Sequence, residues 1–253
     1  MTELRILSRV DARTELERLR AVGLNYDPVA SAAHTQLNGW HIDDYRQALP
    51  AEIPGPPIQG GSWETARRLS ETYEFVDPSL LRAFYDPRDD LSDRTILLEV
   101  HFWGLRIYAG VRAGGVKDSV VEHAGRPARV SRWSYRTLEG HFEMGQIDYE
   151  VWKFLDSGEV DFRIHAVSRP AAIDDTIVAL GYRIFGRKKQ VEFARRACAR
   201  MASLTAAALR GESPAMPAPA LGNDLAVRPQ PGKETLFERV FRRLRRATPT
   251  GGN

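Results

Sequence analysis

Apolar and polar side chains alternate with a period of two from residue 95 to about residue 166. In the stretch TILLEVHF, for example, Ile96, Leu98 and Val100 share one face. This alternation is typical of strands with one buried face and one polar face, and short glycine-containing turns separate the stretches. With a weaker strand near residues 116–122, the pattern predicts an antiparallel sheet of about six strands.

The period becomes helical after Pro170 and stays helical to about residue 209. Because apolar positions recur every seven residues, they form one stripe along one side of a long helix. The stripe comprises Ile177, Ile184, Val191, Cys198 and Thr205. A helix of this length is expected to lie across the whole sheet and to expose its basic residues to solvent.

The N-terminal part of the chain carries weaker patterns. Residues 11–22 predict a helix with Asp11 as its N-cap, whereas residues 24–61 are interrupted by Pro and Gly and predict irregular chain. Residues 62–85 predict two short helices, the second beginning at Pro78 because proline is favoured at the first position of a helix.

Three stretches of the sequence carry a resemblance to known proteins: WSYRTLEGHFEMG, FRIHAVSRPA and YRIFGRKKQVEFARR. They resemble a bacterial family of unknown function, also found in plants, with the motif Y-x-TL-x-GH-x-E-x-G and a later SRP motif. The order of elements also resembles the START-type, polyketide-cyclase-like helix-grip superfamily. The resemblance covers residues 62–210. It implies an α+β fold in which a curved antiparallel sheet of about six strands grips one long C-terminal helix around an apolar cavity.

The resemblance implies no known reaction. Gln146 stands where many relatives are expected to have an acidic residue, which puts part of any family site in doubt. On this basis the chain divides into four parts. They are an N-terminal helix with an irregular Pro/Gly-rich segment (1–61), a helix-grip domain (62–210), a Pro-rich linker (211–232) and a basic amphipathic tail (233–253).

The composition agrees with one folded core. Of the 253 residues, 43% are hydrophobic and 27% are charged, which suffices to bury a full-sized core. No apolar run reaches the roughly 20 residues of a membrane span, and the N-terminus lacks the apolar region of a signal peptide. The single cysteine, Cys198, excludes an internal disulfide. These features predict a cytoplasmic protein.

The net charge of +3 is concentrated near the C-terminus, where residues 233–246 carry six basic and two acidic side chains. The rest of the chain has no basic excess, so no nucleic-acid partner is expected. The tail predicts a short amphipathic helix that binds an anionic membrane surface, a partner or its own domain. Its expected contact residues are Phe237, Phe241, Arg239, Arg242 and Arg243.

The strand pattern also selects candidate ligand-binding residues. It directs Trp133, Tyr135, Tyr149 and Lys153 toward the helix, where two phenols and a lysine would orient a carbonyl or hydroxyl group of a ligand. Arg169, at the end of the last predicted strand, is a candidate cation for an anionic ligand group. Ordinary core packing, with Lys153 extending to solvent, is the alternative for these residues.

The same pattern directs Glu99, His101, Asp161 and His165 away from the helix. We therefore interpret the two histidines as residues of the outer face of the sheet and not as cavity bases. They would form a buried polar layer only if the N-terminal segment covers that face.

The hairpin TLEGHFEMG offers the strongest acid–base candidates, His141 with Glu139 and Glu143. Two carboxylates beside an imidazole would raise its pKa and fix its orientation, as proton transfer requires. The alternative is a solvated turn whose charges pair locally.

Familiar motifs are absent. GVRAGGVKDS has the glycine spacing of a phosphate loop, but no hydroxyl residue follows a correctly placed lysine. His141-Phe142-Glu143 lacks the downstream cysteine pair of zinc deaminases, and no G-x-S-x-G elbow occurs. No metal site and no cofactor are therefore expected.

Two functions remain open from the sequence. The first is binding of an apolar or amphipathic small molecule in a cavity between sheet and helix, without turnover. The second is a cofactor-independent enzyme of the cyclase, dehydratase or isomerase type, acting on an oxygenated apolar substrate. Membrane or protein interaction through the tail is compatible with either, and it would place the protein at the membrane periphery.

Overall fold

The computed structural model describes residues 11–27, 34–102, 105–171, 176–212 and 225–229. They form a curved eight-stranded antiparallel sheet with three α-helices. The helices are α1 (Ala12–Arg20), α2 (Ser62–Glu71) and α3 (Thr176–Leu209). The strands are β1 (His41–Leu49), β2 (Leu81–Tyr85), β3 (Thr95–Phe102), β4 (Leu105–His123), β5 (Arg126–Thr137), β6 (Glu143–Phe154), β7 (Val160–Pro170) and β8 (Ala226–Arg228).

The strands lie in the order β1-β7-β6-β5-β4-β3-β2-β8. From β2 to β7 this is a meander in which consecutive strands pair through short connections. Strand β1 closes the meander by pairing with β7, from His41 opposite Ser168 to Leu49 opposite Val160. The predicted α+β class, with the sheet gripping one long C-terminal helix, is confirmed.

The sheet contains three strands that the pattern did not predict, of which β1 and β8 form its edges. Strand β1 lies in the segment predicted to be irregular, and its side chains alternate between partly buried and exposed positions up to the buried Leu49. Strand β2 occupies the position of the predicted second helix, and β8 lies in the predicted linker. The predictions of irregular chain at β1 and of a helix at β2 are therefore wrong. The apolar run of β2 is too short to identify a strand without its neighbours β3 and β8.

Strand β4 runs unbroken through the weak strand predicted near residues 116–122. A bulge between Gly114 and Lys117 shifts its register against β5 by one residue. Gly115 takes the left-handed conformation there (φ 61°), as is common for glycine in a bulge.

Helices α2 and α3 pack on the concave face of the sheet. Buried α3 side chains include Ala194, Ala197, Cys198 and Met201, in agreement with the predicted apolar stripe. Helix α2 is tied to the sheet by the Trp133 indole, whose Nε1–H donates to Ser70 Oγ at 2.9 Å.

Helix α1 packs on the opposite, convex face. Asp11 caps its N-terminus as predicted, accepting a hydrogen bond from the Thr14 N–H at 2.8 Å. Leu16 and Leu19 form a small second core with Leu97 and Leu138. Covering of the convex face by the N-terminal segment, which the sequence left open, therefore occurs over the strands that α1 contacts.

Candidate functional site

The centre of the concave face contains three tyrosine side chains that meet each other. Tyr135 comes from β5, Tyr149 from β6, and Tyr73 from the residue after the C-cap of α2. Their ring centroids lie 5.9 to 6.4 Å apart. The Tyr73 and Tyr149 hydroxyl oxygens are separated by 3.4 Å. We call these residues the phenol cluster.

The backbone at Tyr73 is strained in order to place its ring in this cluster. Its φ of 64° is the left-handed conformation, which usually requires glycine. The Tyr73 N–H donates to the Ser70 carbonyl and the Glu74 N–H donates to the Leu69 carbonyl, each at 3.0 Å, which completes a Schellman helix end. A non-glycine residue in this conformation costs on the order of 1–2 kcal/mol, and such strain often occurs at functional sites.

Aromatic rings surround the phenol cluster. Trp133 lies 5.0 Å from Tyr149 between ring centroids, and Phe75 lies 4.8 Å from the same ring. Phe162 completes this side and is fully buried. The hydroxyl groups therefore sit in an apolar environment, as inward-facing residues of a ligand site do.

Burial keeps the phenol cluster uncharged. Desolvation raises the pKa of Tyr73 and of Tyr149 well above the usual value of 10, and it raises the pKa of Tyr135 in the same direction. At neutral pH each phenol therefore remains an O–H group that both donates and accepts hydrogen bonds.

Part of the concave face beside the cluster remains accessible. Val100, Tyr135 and Ile147 point toward the concave side, yet each is only partly buried, whereas Tyr73 and Tyr149 are almost completely buried. Tyr135 therefore lies at the border between the packed interior and accessible surface.

Lys153 points inward, as predicted, but its charge is already paired. The side chain is fully buried, and its Nζ donates to Glu52 Oε2 at 2.5 Å and to the Pro56 carbonyl at 2.8 Å. The alternative of a lysine extending to solvent is wrong. Glu52 Oε1 also accepts a hydrogen bond from the Trp63 N–H at the start of α2. The ion pair thus fixes the segment between β1 and α2.

His141 is almost completely buried in the β5–β6 hairpin, and its Nδ1 accepts a hydrogen bond from the Glu143 N–H at 2.9 Å. Desolvation lowers the pKa of its imidazole to about 3, although a backbone hydrogen bond to Glu143 opposes this. The predicted rise of this pKa by neighbouring carboxylates is therefore wrong. The Glu143 carboxylate accepts a hydrogen bond from Gln190 of α3, and Glu139 is exposed.

Arg169 contacts other protein groups. Its guanidinium lies 4.7 Å from the centroid of the Trp40 ring, and its Nε–H points at the Met144 sulfur at 2.8 Å. These contacts tie the chain before β1 to the ends of β6 and β7.

The convex face carries buried carboxylates instead of phenols. Glu99 Oε1 lies 2.7 Å from His101 Nε2, and Glu99 Oε2 accepts a hydrogen bond from the Tyr108 hydroxyl, also at 2.7 Å. Asp161 is paired with Arg46 at 2.7 Å. The predicted outward direction of these strand residues is correct, and a polar layer is formed there.

Within the described residues, no group of three or more His, Cys, Asp or Glu side chains could hold a metal ion. No helix among them is both long enough and apolar enough to span a membrane. The five predicted tail contacts between Phe237 and Arg243 lie outside the described residues. Tail binding to a membrane or partner thus stays a prediction, which deletion of residues 233–253 and liposome sedimentation would test.

Sequence patterns did not identify Tyr73 or Glu52. Tyr73 follows a helix where a glycine would be typical, so no local signal marks it as an inward-facing residue. Glu52 lies in Pro/Gly-rich chain 101 residues before its partner Lys153. The sequence did predict that Lys153 points inward. Because a buried charge requires a partner, this prediction already indicated that an acidic residue lies nearby.

A protein-family model described as Domain of unknown function (DUF1990) matches residues 25–200. No curated protein matches the sequence.

Solved structures show distant likeness. Ara h 8.0201 has 8% identity and a TM-score of 0.37, covering 65% of this chain and 99% of its own. The Zhui aromatase/cyclase from Streptomyces sp. R1128 has 12% identity and a TM-score of 0.37, covering 67% and 97%. Human STARD10 has 11% identity and a TM-score of 0.31, covering 83% and 90%. Since all three TM-scores are below 0.5, these likenesses carry no argument about the site.

Proposed function

Since the chain belongs to the DUF1990 family, whose description names no activity, we propose a function from the geometry of the concave face. The protein binds an apolar or amphipathic small molecule between the sheet and α3. The apolar body of the ligand contacts aromatic rings, and an oxygen atom of the ligand forms hydrogen bonds with the phenol cluster.

The observation that carries this proposal is the isolation of three hydroxyl groups in aromatic surroundings. The hydrogen bond between the Tyr73 and Tyr149 hydroxyl oxygens is long, at 3.4 Å, and both hydroxyl groups also interact with that of Tyr135. Hydrogen bonds between buried hydroxyl groups are normally shorter than this. A ligand oxygen placed among the three phenols would supply a closer partner.

The chemistry of the cluster restricts the ligand. Because the phenols stay protonated at neutral pH, they can donate hydrogen bonds to a carbonyl or hydroxyl oxygen, and they offer no negative charge to a cationic group. The strained backbone at Tyr73 holds one phenol in place before the ligand arrives, which reduces the entropy lost on binding.

Native mass spectrometry of freshly purified protein, followed by identification of molecules released on denaturation, tests the proposal. The expected result is a stoichiometric apolar adduct that contains at least one oxygen atom. A clean mass for the protein alone, together with no binding from a panel of aromatic ketones and alcohols, would contradict it.

Matched tyrosine variants show whether the phenol cluster binds the ligand. Tyr149→Phe removes one hydroxyl from the cluster, whereas Tyr108→Phe removes one from the convex face. We expect the first variant to bind the recovered ligand about tenfold more weakly, because one hydrogen bond is worth about 1 kcal/mol or somewhat more. The Tyr108 variant should bind it like the unmodified protein. Equal affinities of the two variants for the ligand would contradict binding at the phenol cluster.

The second candidate, a cofactor-independent enzyme, is favoured by one observation. Protonated phenols in apolar surroundings can polarise a carbonyl group and stabilise negative charge that develops on its oxygen. His141, Glu139 and Glu143 are the candidates for proton transfer, in the uncharged imidazole form that burial imposes on His141. Incubation of the recovered ligand with the protein would distinguish the two functions, since a binding protein returns it unchanged. Turnover that survives in His141→Asn would remove the histidine from the mechanism.

A further inference from the structure

A second open region lies on the concave side, far from the phenol cluster. It is a groove of about 370 Å³ beside α2, bordered by the ends of β4, β5 and β6. Leu155 of the groove follows Tyr149 by six positions along β6 and its continuation, which corresponds to about 20 Å. The volume lies within the usual range of small-molecule sites.

The groove is mainly apolar and its shape is fixed by buried groups. Trp63, Val120 and Leu155 supply apolar lining, together with Pro56. The Pro56 carbonyl accepts a hydrogen bond from the buried Lys153, so this wall is anchored to β6. Val120 is 56% exposed, so it offers apolar surface that the fold itself leaves uncovered.

The charged residues that line the groove are Arg67, Arg129 and Asp118, and the two arginines differ in their pairing. Arg129 forms an ion pair with Asp118, with 2.6 Å between Arg129 Nε and Asp118 Oδ1. Arg67 forms a longer contact of 3.2 Å to Glu71 through Nη1. The buried Nε of Arg67 has no hydrogen-bond partner among the described residues. Its guanidinium lies 5.6 Å from the centroid of the Trp63 ring.

We propose that this groove is a separate binding site for a small amphipathic carboxylate. The apolar body of the ligand packs on Trp63, Val120 and Leu155, and its carboxylate accepts a charge-assisted hydrogen bond from Arg67. This site takes an anion, whereas the phenol cluster takes an uncharged oxygen, so the two proposals stand independently.

Titration calorimetry with 2-naphthoate and its uncharged analogue 2-naphthamide tests the site. The unmodified protein should bind the carboxylate more tightly than the amide. Arg67→Gln should weaken binding of 2-naphthoate by roughly tenfold or more and leave 2-naphthamide within about twofold, because a hydrogen bond between charged groups is lost. Equal effects on both probes, or no binding of 2-naphthoate, would overturn the proposal.

Variants of one strand locate the probe. Val120→Trp fills the groove and should abolish binding of both probes. Val116→Trp makes the same substitution at an exposed position that does not line the groove, and it should bind both probes normally. Tyr149→Phe should leave 2-naphthoate binding unchanged. Loss of binding in Tyr149→Phe with retention in Val120→Trp would place the probe at the phenol cluster and refute the groove site.

Discussion

The two faces of the sheet bury polar groups in different ways. On the convex face, Glu99 and Asp161 are almost completely buried, and each carboxylate contacts positively charged or hydrogen-bonding side chains on the same or neighbouring strands. On the concave face, Tyr73, Tyr135 and Tyr149 are uncharged, and the hydroxyl contacts described for them are with one another.

This difference distinguishes polar groups that stabilise the fold from polar groups that a ligand could contact. A buried carboxylate requires its partners permanently, since losing one leaves an uncompensated charge. A neutral phenol loses less free energy than a carboxylate when its hydrogen-bond partner changes. It can therefore exchange a neighbouring hydroxyl group for a ligand oxygen. The convex layer therefore holds the strands together, and the phenol cluster can serve recognition.

The strongest test of this comparison is Lys153→Met, because Lys153 brings a charge to the concave face. Removing it leaves the Glu52 carboxylate buried without its cation, so we expect a loss of about 3–5 kcal/mol in the free energy of unfolding. Urea denaturation measures this loss. The exposed control Lys117→Met should change stability by less than about 0.5 kcal/mol. A loss below about 1 kcal/mol for Lys153→Met would show that the pair contributes little.

The hairpin histidine extends the comparison to pH. Burial lowers the pKa of His141 to about 3 from its usual 6.5, so the unfolded chain binds a proton that the folded chain excludes. Stability should fall as the pH drops from 6.5 toward 3, by at most about 1.4 kcal/mol per pH unit. Urea denaturation of the unmodified protein and of His141→Asn between pH 7 and pH 4 isolates this contribution. A pH-independent difference between the two proteins would contradict it.

Glu99 should show a smaller pH effect on the convex face. Burial raises the pKa of its carboxyl, but hydrogen bonds from His101 and Tyr108 outweigh this, and the net pKa lies below the usual 4.5. The carboxylate therefore stabilises the fold above pH 4.5, and this stabilisation is lost as the pH falls through the lowered pKa. We expect Glu99→Gln to cost about 1–3 kcal/mol at pH 7. Thermal or urea unfolding should show this difference shrinking below pH 4.5, whereas a growing difference would refute the sign.

Tyr149→Phe should have the smallest effect on stability. The phenylalanine keeps the ring contacts and loses only the hydroxyl contacts with Tyr73, at 3.4 Å, and with Tyr135, so the expected loss is about 1 kcal/mol or less. Urea denaturation in the absence of ligand provides the measurement. A loss above about 3 kcal/mol would mean that the phenol cluster is a structural network like that of the convex face.

The sequence predicted the elements that have one buried face and one exposed face. Strands β3 to β7 alternate because one face contacts α2 or α3, and the stripe of α3 repeats for the same reason. The edge strand β1 is only partly buried on one face and exposed on the other, so its sequence pattern is weak. The short strands β2 and β8 gain their structure from pairing, which no local pattern reports.

The candidate site divides in the same way. The inward direction of Trp133, Tyr135 and Tyr149 followed from strand parity alone. Tyr73 and Glu52 could not be found in this manner, because a helix end and an irregular segment place them there. The state of His141 depended on burial of the hairpin, which neighbouring charges in the sequence do not reveal.

The bulge in β4 has a consequence for how insertions and deletions would act on this protein. Before it, odd-numbered residues such as Ala113 face the concave side, and after it even-numbered residues such as Val120 do so. Deleting the single residue Gly115 would remove the extra residue and leave an unbroken alternation of side chains, so Ala113 and Val120 would both still face the concave side. Deleting a residue elsewhere in β4, where no extra residue is present, would instead turn one half of the strand over relative to the other. The bulge is thus a point at which β4 can lose a residue without exchanging its two faces.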